Sequence, residues 1–277
     1  MFKSIIRFLK WQIGSRLVPG DVIYQWVNEA KIIVRPHETG LTQNIYCGLH
    51  EFEDMSFLLH VLRKDDLFVD VGANVGSYTV LACAAVGANG ISIEPVPDTY
   101  LRLTNNVNIN NVSEQVACIN MGVADKEGVI RFTSDLDTMN HALSDNEDSS
   151  NSILVNVKTL DSLLVEKKPY VIKIDVEGFE LPALMGAQTV LSNESLHAII
   201  IELNNSGEKY GHSEVDIINK IEEFGFSPYQ YDPGSRKLVL LNGKNTKSQN
   251  TLFIRNVESV EKRLLESPAF SVLDQEV

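Results

Sequence analysis

The sequence predicts an α/β protein built on a mostly parallel sheet, and three observations carry that prediction. From residue 67 onward, short apolar runs rich in Val and Ile alternate with segments of helical spacing, the pattern of βαβ units. Three acids, Asp70, Glu94 and Asp175, fall at the carboxyl ends of such runs, where open α/β sheets bind their ligands. The first run, FVDVGANVGSYT at 68–79, opens straight into a glycine turn.

Taken in order, residues 1–66 read as a helical and hairpin extension. MFKSIIRFLKWQIGSRLVPG carries Lys3, Arg7, Lys10 and Arg16, with no acid before Asp21. These charges interrupt the apolar stretches, so the segment is too polar to cross a bilayer, and it lacks the apolar region and cleavage site of a signal peptide. Two placements fit it: a helix packed on its own domain, or a basic amphipathic helix on an anionic membrane surface. Trp11 and Trp26 read as anchors of this extension, and KIIVRPHETGLTQNIYCG reads as a hairpin around HETG. In EFEDMSFLLHVLRKDD, Phe52, Met55, Leu58, Leu59 and Leu62 recur at helical spacing.

The main domain is assigned to residues 67–257. It begins with strand LFVDV, helix SYTVLACAAV, strand ISIE, helix DTYLRLTNNVNI and strand QVACIN. Residues 129–160 interrupt the rhythm: VIRFTS and ILVNVKTL enclose DLDTMNHALSDNEDSSNS, an acidic loop that serves either as a lid or as solvated surface. Strand YVIKID, helix ELPALMGAQTVL, strand HAIIIEL and helix EVDIINKIEEFG follow. KLVLL and TLFIR are expected to pair antiparallel at the sheet edge, and 258–277 forms a tail.

A chain of 277 residues, 44% hydrophobic, is ample for one large α/β domain with an appendage. Its net charge of -13 argues against nucleic acid as a partner, because that affinity rests on neutralising phosphates. Cys47, Cys83 and Cys118 show neither disulfide-framework nor zinc spacing, which points to reduced thiols in a cytoplasmic protein.

Three cofactor classes use a glycine turn after a strand. A dinucleotide fold wants G-x-G-x-x-G, but the matching positions here are Gly72, Asn74 and Ser77, which demotes NAD. A phosphate-binding G-x-x-x-x-G-K-[ST] loop is absent after the strand. A sulfonium cofactor needs no pyrophosphate cradle and is suited by acidic strand ends. Asp70 would then orient its amino group, Gly72 and Gly76 would permit the turn, and Asn74 would tolerate left-handed backbone. Glu94, 22 residues after Gly72, would accept from ribose hydroxyls.

DVGANVGSYT, IEPVPDTY, TLDSLL, VIKIDVEGFELPALMGA and IIIELN together resemble successive landmarks of the FkbM methyltransferase family, across about residues 51–204. The resemblance implies a Rossmann-like class I methyltransferase fold, a mostly parallel seven-stranded sheet with helices on both faces. It also implies S-adenosyl-L-methionine as donor and a small-molecule or glycan acceptor, methylated on a hydroxyl of a saccharide or related natural product. Residues 1–50 and the acidic insert lie outside it, where acceptor choice would reside. Carried across by position, Asp70, Gly72, Ala73, Asn74 and Gly76 form the cofactor turn, Glu94 the ribose acid, and Gly122 stands where adenine meets backbone near 121–125.

An aliphatic hydroxyl must also lose a proton, which calls for a general base. The candidates are Asp175 first, then Glu177, Glu202 and, in the insert, His141. Asp175 could instead anchor the following helix, with Glu177 and Glu180 flanking its start and Gly178 serving the turn. Asp175 with Glu202 could hold a divalent ion, but the sequence shows no tight ligand spacing, so no metal is assigned. N-methylation of an amino sugar, and a cofactor-binding protein without turnover, are the alternatives.

Overall fold

The computed structural model describes residues 2–17, 20–36, 39–133, 141–143 and 152–277. In the extension, helix α1 spans Phe2–Leu17, and strands β1 (Val22–Gln25) and β2 (Lys31–Val34) form an antiparallel hairpin. Helices α2 (Thr39–Cys47) and α3 (Phe52–Val61) follow. The hairpin thus lies upstream of the place expected, and TGLTQNIYC is helical. Leu41 and Ile45, one helical turn apart, are both buried there, so packing of that stripe overrides the turn signal in HETG.

The main domain continues with β3 (Leu67–Val71), α4 (Ser77–Val80, prolonged by a π-helical segment to Val86), β4 (Asn89–Ile93), α5 (Pro97–Ile109) and β5 (Val116–Ile119). A small three-stranded sheet holds β6 (Gly122–Val123), β7 (Gly128–Thr133) and β8 (Ser152–Lys158) in the order β6-β8-β7. Residues 141–143 bridge to β7 through Phe132 and Ala142. Most of the acidic loop lies outside the described residues. The chain then runs through α6 (Leu160–Leu163), β9 (Val171–Ile174), α7 (Glu180–Met185), α8 (Gln188–Ser192), β10 (Ala198–Glu202) and α9 (Glu214–Glu222). β11 (Ser227–Asp232), β12 (Lys237–Leu240), β13 (Asn250–Ile254) and α10 (Val257–Glu266) complete it, before a last hairpin of β14 (Ser271–Val272) and β15 (Gln275–Glu276).

The central sheet has the order β12-β11-β13-β10-β9-β3-β4-β5. From β10 to β5 every neighbour is parallel, whereas β13, β11 and β12 are joined antiparallel. Helices cover both faces, so the central parallel strands are buried on both sides: all four residues of β9, Lys173 included, and Ala198 to Ile201 of β10 are buried. The seven strands expected from the sequence are all in this sheet, and β11 is an eighth that was not expected. KLVLL and TLFIR do not pair with each other, because β11 lies between β12 and β13. SPYQYD, with a proline and alternating polar residues, carries little strand signal of its own. ELPALMGAQTVL divides at Gly186, where an added Cβ would stand 2.3 Å from the Ala124 carbonyl oxygen.

One apolar core ties the extension and tail to the sheet: Trp26, Ile32, Leu41 and Ile45 share it with Phe57 and Phe68, and with Leu264, Phe270 and Val272. The Trp26 indole donates to the Gly48 carbonyl. β3, the first strand of the sheet in sequence, is the middle strand of its parallel part, with β4 on one side and β9 on the other, so the crevice opens beyond its carboxyl end. Among the described residues no helix is long and apolar enough to cross a membrane.

Candidate active site

The turn after β3 is left-handed at Gly72 (φ 77°), Asn74 (φ 51°) and Gly76 (φ 89°). Gly72 admits no side chain, because a Cβ would stand 1.7 Å from the carbonyl oxygen of Asp175. The turns after β3 and β9 therefore touch backbone to backbone. Gly72 and Ala73 donate their N–H groups to the Ile93 carbonyl at 3.0 Å each. Glu94 completes the junction: one carboxylate oxygen accepts from Asn74 N–H at 3.0 Å, the other from Val96 N–H at 2.9 Å. Burial pushes its pKa up to about 7, against the opposing effect of those two donors. Asp70, also buried, accepts from the Thr79 hydroxyl at 2.7 Å, and Thr79 shares a second 2.7 Å contact with Ser92.

Two cavities meet at this junction, sharing Gly72, Asn74, Asp175 and Glu177. The first encloses about 620 Å³ including its mouth, between Glu94, Thr99, Met121, Gly122, Phe132 and Phe179. The second, of about 930 Å³, is strongly acidic: Glu51, Asp70, Asp175, Glu177 and Glu202 surround Lys173, with Arg102 at the wall. Leu41, Asn44 and His50 bring the extension into this cavity.

Asp175, Glu177 and Glu202 each offer an oxygen within 4.8 Å of the others, a spacing that could hold a metal ion. Tight ligand spacing is missing from the sequence because Glu202 comes from the neighbouring strand, β10. A cation of the protein's own already stands there: the Lys173 ammonium, nearly fully buried, lies 2.6 Å from Asp175 and 4.7 Å from the centre of the Tyr78 ring. Burial works against the Lys173 charge, but Asp175, Glu51 and Asp70 outweigh it, so its pKa lies above the usual value. Burial, and then the charges of Asp175 and Glu177, push Glu202 up to about 10, and its Oε2 has no hydrogen-bond partner among the described residues. Glu177 reaches about 7, through burial first and the Asp175 charge second. It holds a left-handed backbone (φ 52°).

Asp175 does not anchor α7. That task falls to Glu180, whose Oε1 accepts from Val176 N–H at 3.2 Å and Gly178 N–H at 3.1 Å. Gly178 (φ 102°) serves the turn, with the Ser206 carbonyl 2.5 Å from where a Cβ would stand. His141 pairs by backbone with Thr133, and its electrostatic effect on Glu177 opposes the upward shift there. Sequence reading missed Lys173, although its alternation with Asp175 along one strand places both on the same face. It also missed Phe132 and Phe179, which line the first cavity.

The first cavity suits a sulfonium nucleoside. Its glycine turn closes on backbone at Gly72, and Glu94 spends two acceptor sites on the turn while a carboxylate offers about four, leaving capacity for ribose hydroxyls. Strand order, glycine turn and strand-end acid define an S-adenosylmethionine-dependent methyltransferase of the class I fold. Residues 70–228 match the model of the methyltransferase FkbM domain, and the chain belongs to that family. It is 28% identical over 197 residues to the hexuronic acid methyltransferase AglP of Haloferax volcanii, covering 66% of this chain and 78% of that one. More distant likenesses include the precorrin-6y C5,15-methyltransferase of Geobacter metallireducens (TM-score 0.41, 10% identity, 74% of this chain and 87% of that chain). Another is SMU.1697c, a proposed methyltransferase of Streptococcus mutans solved in complex with SAH (TM-score 0.43, 13% identity, 73% and 94%). The fold assignment rests on strand order, not on these likenesses.

Proposed function

We propose that the protein O-methylates a hydroxyl of a saccharide, glycan precursor or related natural product bound in the second cavity. The observation that carries this reading is the carboxylate cluster around Lys173, placed where the two cavities join. S-adenosylmethionine, when bound in the first cavity, supplies a methyl group on a positively charged sulfur. The turn from Asp70 to Gly76, with Glu94, holds that donor in place. Orientation of this kind recovers on the order of 7 to 11 kcal/mol of a barrier.

Glu177 is the better matched base of the two shared carboxylates. Its pKa of about 7 makes it half ionised at neutral pH and able to take the proton that the acceptor hydroxyl must lose. Asp175, held by Lys173, orients the acceptor. Glu202, protonated near neutrality, donates a hydrogen bond to it. The hexuronic acid activity of AglP supports a sugar acceptor. The acidic wall equally accommodates an amino sugar, in which case nitrogen is the methylated atom. Cytoplasmic location belongs to the same proposal, as does peripheral membrane contact through α1, supported by its four cations.

The test is a panel of uronic acid, neutral and amino sugar glycosides incubated with S-adenosylmethionine, with and without chelator, read by mass spectrometry of the product. An O-methylated sugar supports the reading. An N-methylated product establishes the alternative, and loss of turnover with chelator, restored by magnesium, makes Asp175, Glu177 and Glu202 metal ligands. Methylation of none of them, with S-adenosylmethionine bound, overturns the sugar assignment.

A further inference from the structure

Helix α1 faces its own protein with its polar side. Ser4, Arg7, Trp11 and Ser15 turn inward; Trp11 is buried, and Arg7 donates to the Tyr46 carbonyl at 2.8 Å and pairs with Asp274 at 2.6 Å. Ile5, Ile6, Leu9, Ile13 and Leu17 turn outward, with Ile13 59% and Leu17 76% exposed. At roughly 100° per residue the two sets centre on nearly opposite directions. A surface helix of a water-soluble domain has the reverse arrangement, and a contiguous exposed apolar face marks an interaction site.

The charge on this helix identifies the partner. α1 carries Lys3, Arg7, Lys10 and Arg16 and no acid, in a chain whose net charge is -13. Lys3 and Arg7 meet Asp274, while Lys10 and Arg16 are exposed beside the apolar face. A second copy docked symmetrically on this face would bring these same cations together, which disfavours self-association. An apolar face rimmed by cations is complementary to anionic lipid. We propose that α1 lies in the interface of an anionic bilayer, with Ile5, Leu9, Ile13 and Leu17 at the acyl boundary and Lys10 and Arg16 among the headgroups.

The placement has a consequence for the acceptor. α2 packs on α1 through Tyr46, whose ring stands 5.2 Å from that of Phe8, and from its other side presents Leu41 and Asn44 to the second cavity. That cavity therefore lies one helix away from the lipid surface. The inference deepens the reading of peripheral contact by naming the face and the lipid, and it does not depend on the acceptor's chemistry.

The experiment is flotation of the full chain with phosphatidylcholine vesicles, with and without phosphatidylglycerol. The wild type is expected to float with the anionic vesicles and to be released by salt. The combined Ile5→Ser, Leu9→Ser, Ile13→Ser variant, changed only at exposed positions, is expected to lose about tenfold or more in partition. Lys10→Ala and Arg16→Ala should each cost about fivefold. Unchanged circular dichroism and S-adenosylmethionine binding would show that the variants fold. Wild type that stays unbound with both vesicles, or a triple variant that floats equally well, overturns the proposal. So does a dimer in light scattering that the triple variant converts to monomer. None of these outcomes bears on methyl transfer.

Discussion

The two cavities are built from the same residue type, buried carboxylates, in opposite ways. On the cofactor wall Glu94 is satisfied by the fold, through the N–H groups of Asn74 and Val96. On the acceptor wall Asp175, Glu177 and Glu202 crowd one another around a single lysine, and Glu202 Oε2 is left without a partner among the described residues. Satisfied acids hold a shape. Crowded acids hold protons, which supports the proposal that proton transfer takes place among them. The claim is that binding resides in the first cavity and acid–base chemistry in the second.

The sharpest break between them is Glu177→Gln, which should lower kcat by about 10² to 10⁴ while leaving cofactor affinity nearly unchanged. Steady-state kinetics beside direct binding would show it, and equal loss of both would erase the distinction. Gly72→Ala tests the junction itself. A methyl placed 1.7 Å from the Asp175 carbonyl, at φ 77°, must force the two turns apart. Strain and overpacking together should cost about 2 to 4 kcal/mol, measured by urea unfolding, with cofactor binding lost as well. Glu94→Gln keeps the side chain's size but removes its charge, so S-adenosylhomocysteine binding should weaken about 10- to 100-fold.

The smallest effect is on stability against pH. Glu177 binds its proton more tightly in the folded protein (about 7) than in the unfolded chain (near 4.5), and so does Glu202 (about 10). Between those values the native state carries more protons, so these groups make stability fall as pH rises. The loss should run from about pH 4.5 to 7 for Glu177 and continue toward pH 10 for Glu202. Glu202→Gln should therefore flatten the decline in urea midpoint between pH 5.5 and pH 8. An unchanged slope would mean that Glu202 finds a partner in solution.

The cofactor wall was legible in the sequence because its parts are local. A strand ending in Asp70, two glycines and an acid 22 residues after Gly72 lie in one βαβ unit, where spacing determines geometry. The acceptor wall was only half legible. Asp175 and Glu177 could be read from the end of one strand, but their meeting with Glu202 depends on how β9 and β10 pair, and Glu51 and His50 arrive from the extension. Lys173 was hidden by its position inside an apolar strand, where a cation is tolerated only because the acids around it stabilise its charge. The upstream hairpin and the helical TGLTQNIYC were misplaced for a related reason: tertiary burial of Leu41 and Ile45 decided that segment, and local turn chemistry did not.

The most direct test of the division between the cavities is calorimetric titration of wild type, Glu94→Gln and Glu177→Gln with S-adenosylhomocysteine. Glu177→Gln should bind like wild type, and Glu94→Gln about 10- to 100-fold more weakly. Weakening by Glu177→Gln with Glu94→Gln unaffected would place the cofactor against the carboxylate cluster and contradict the account.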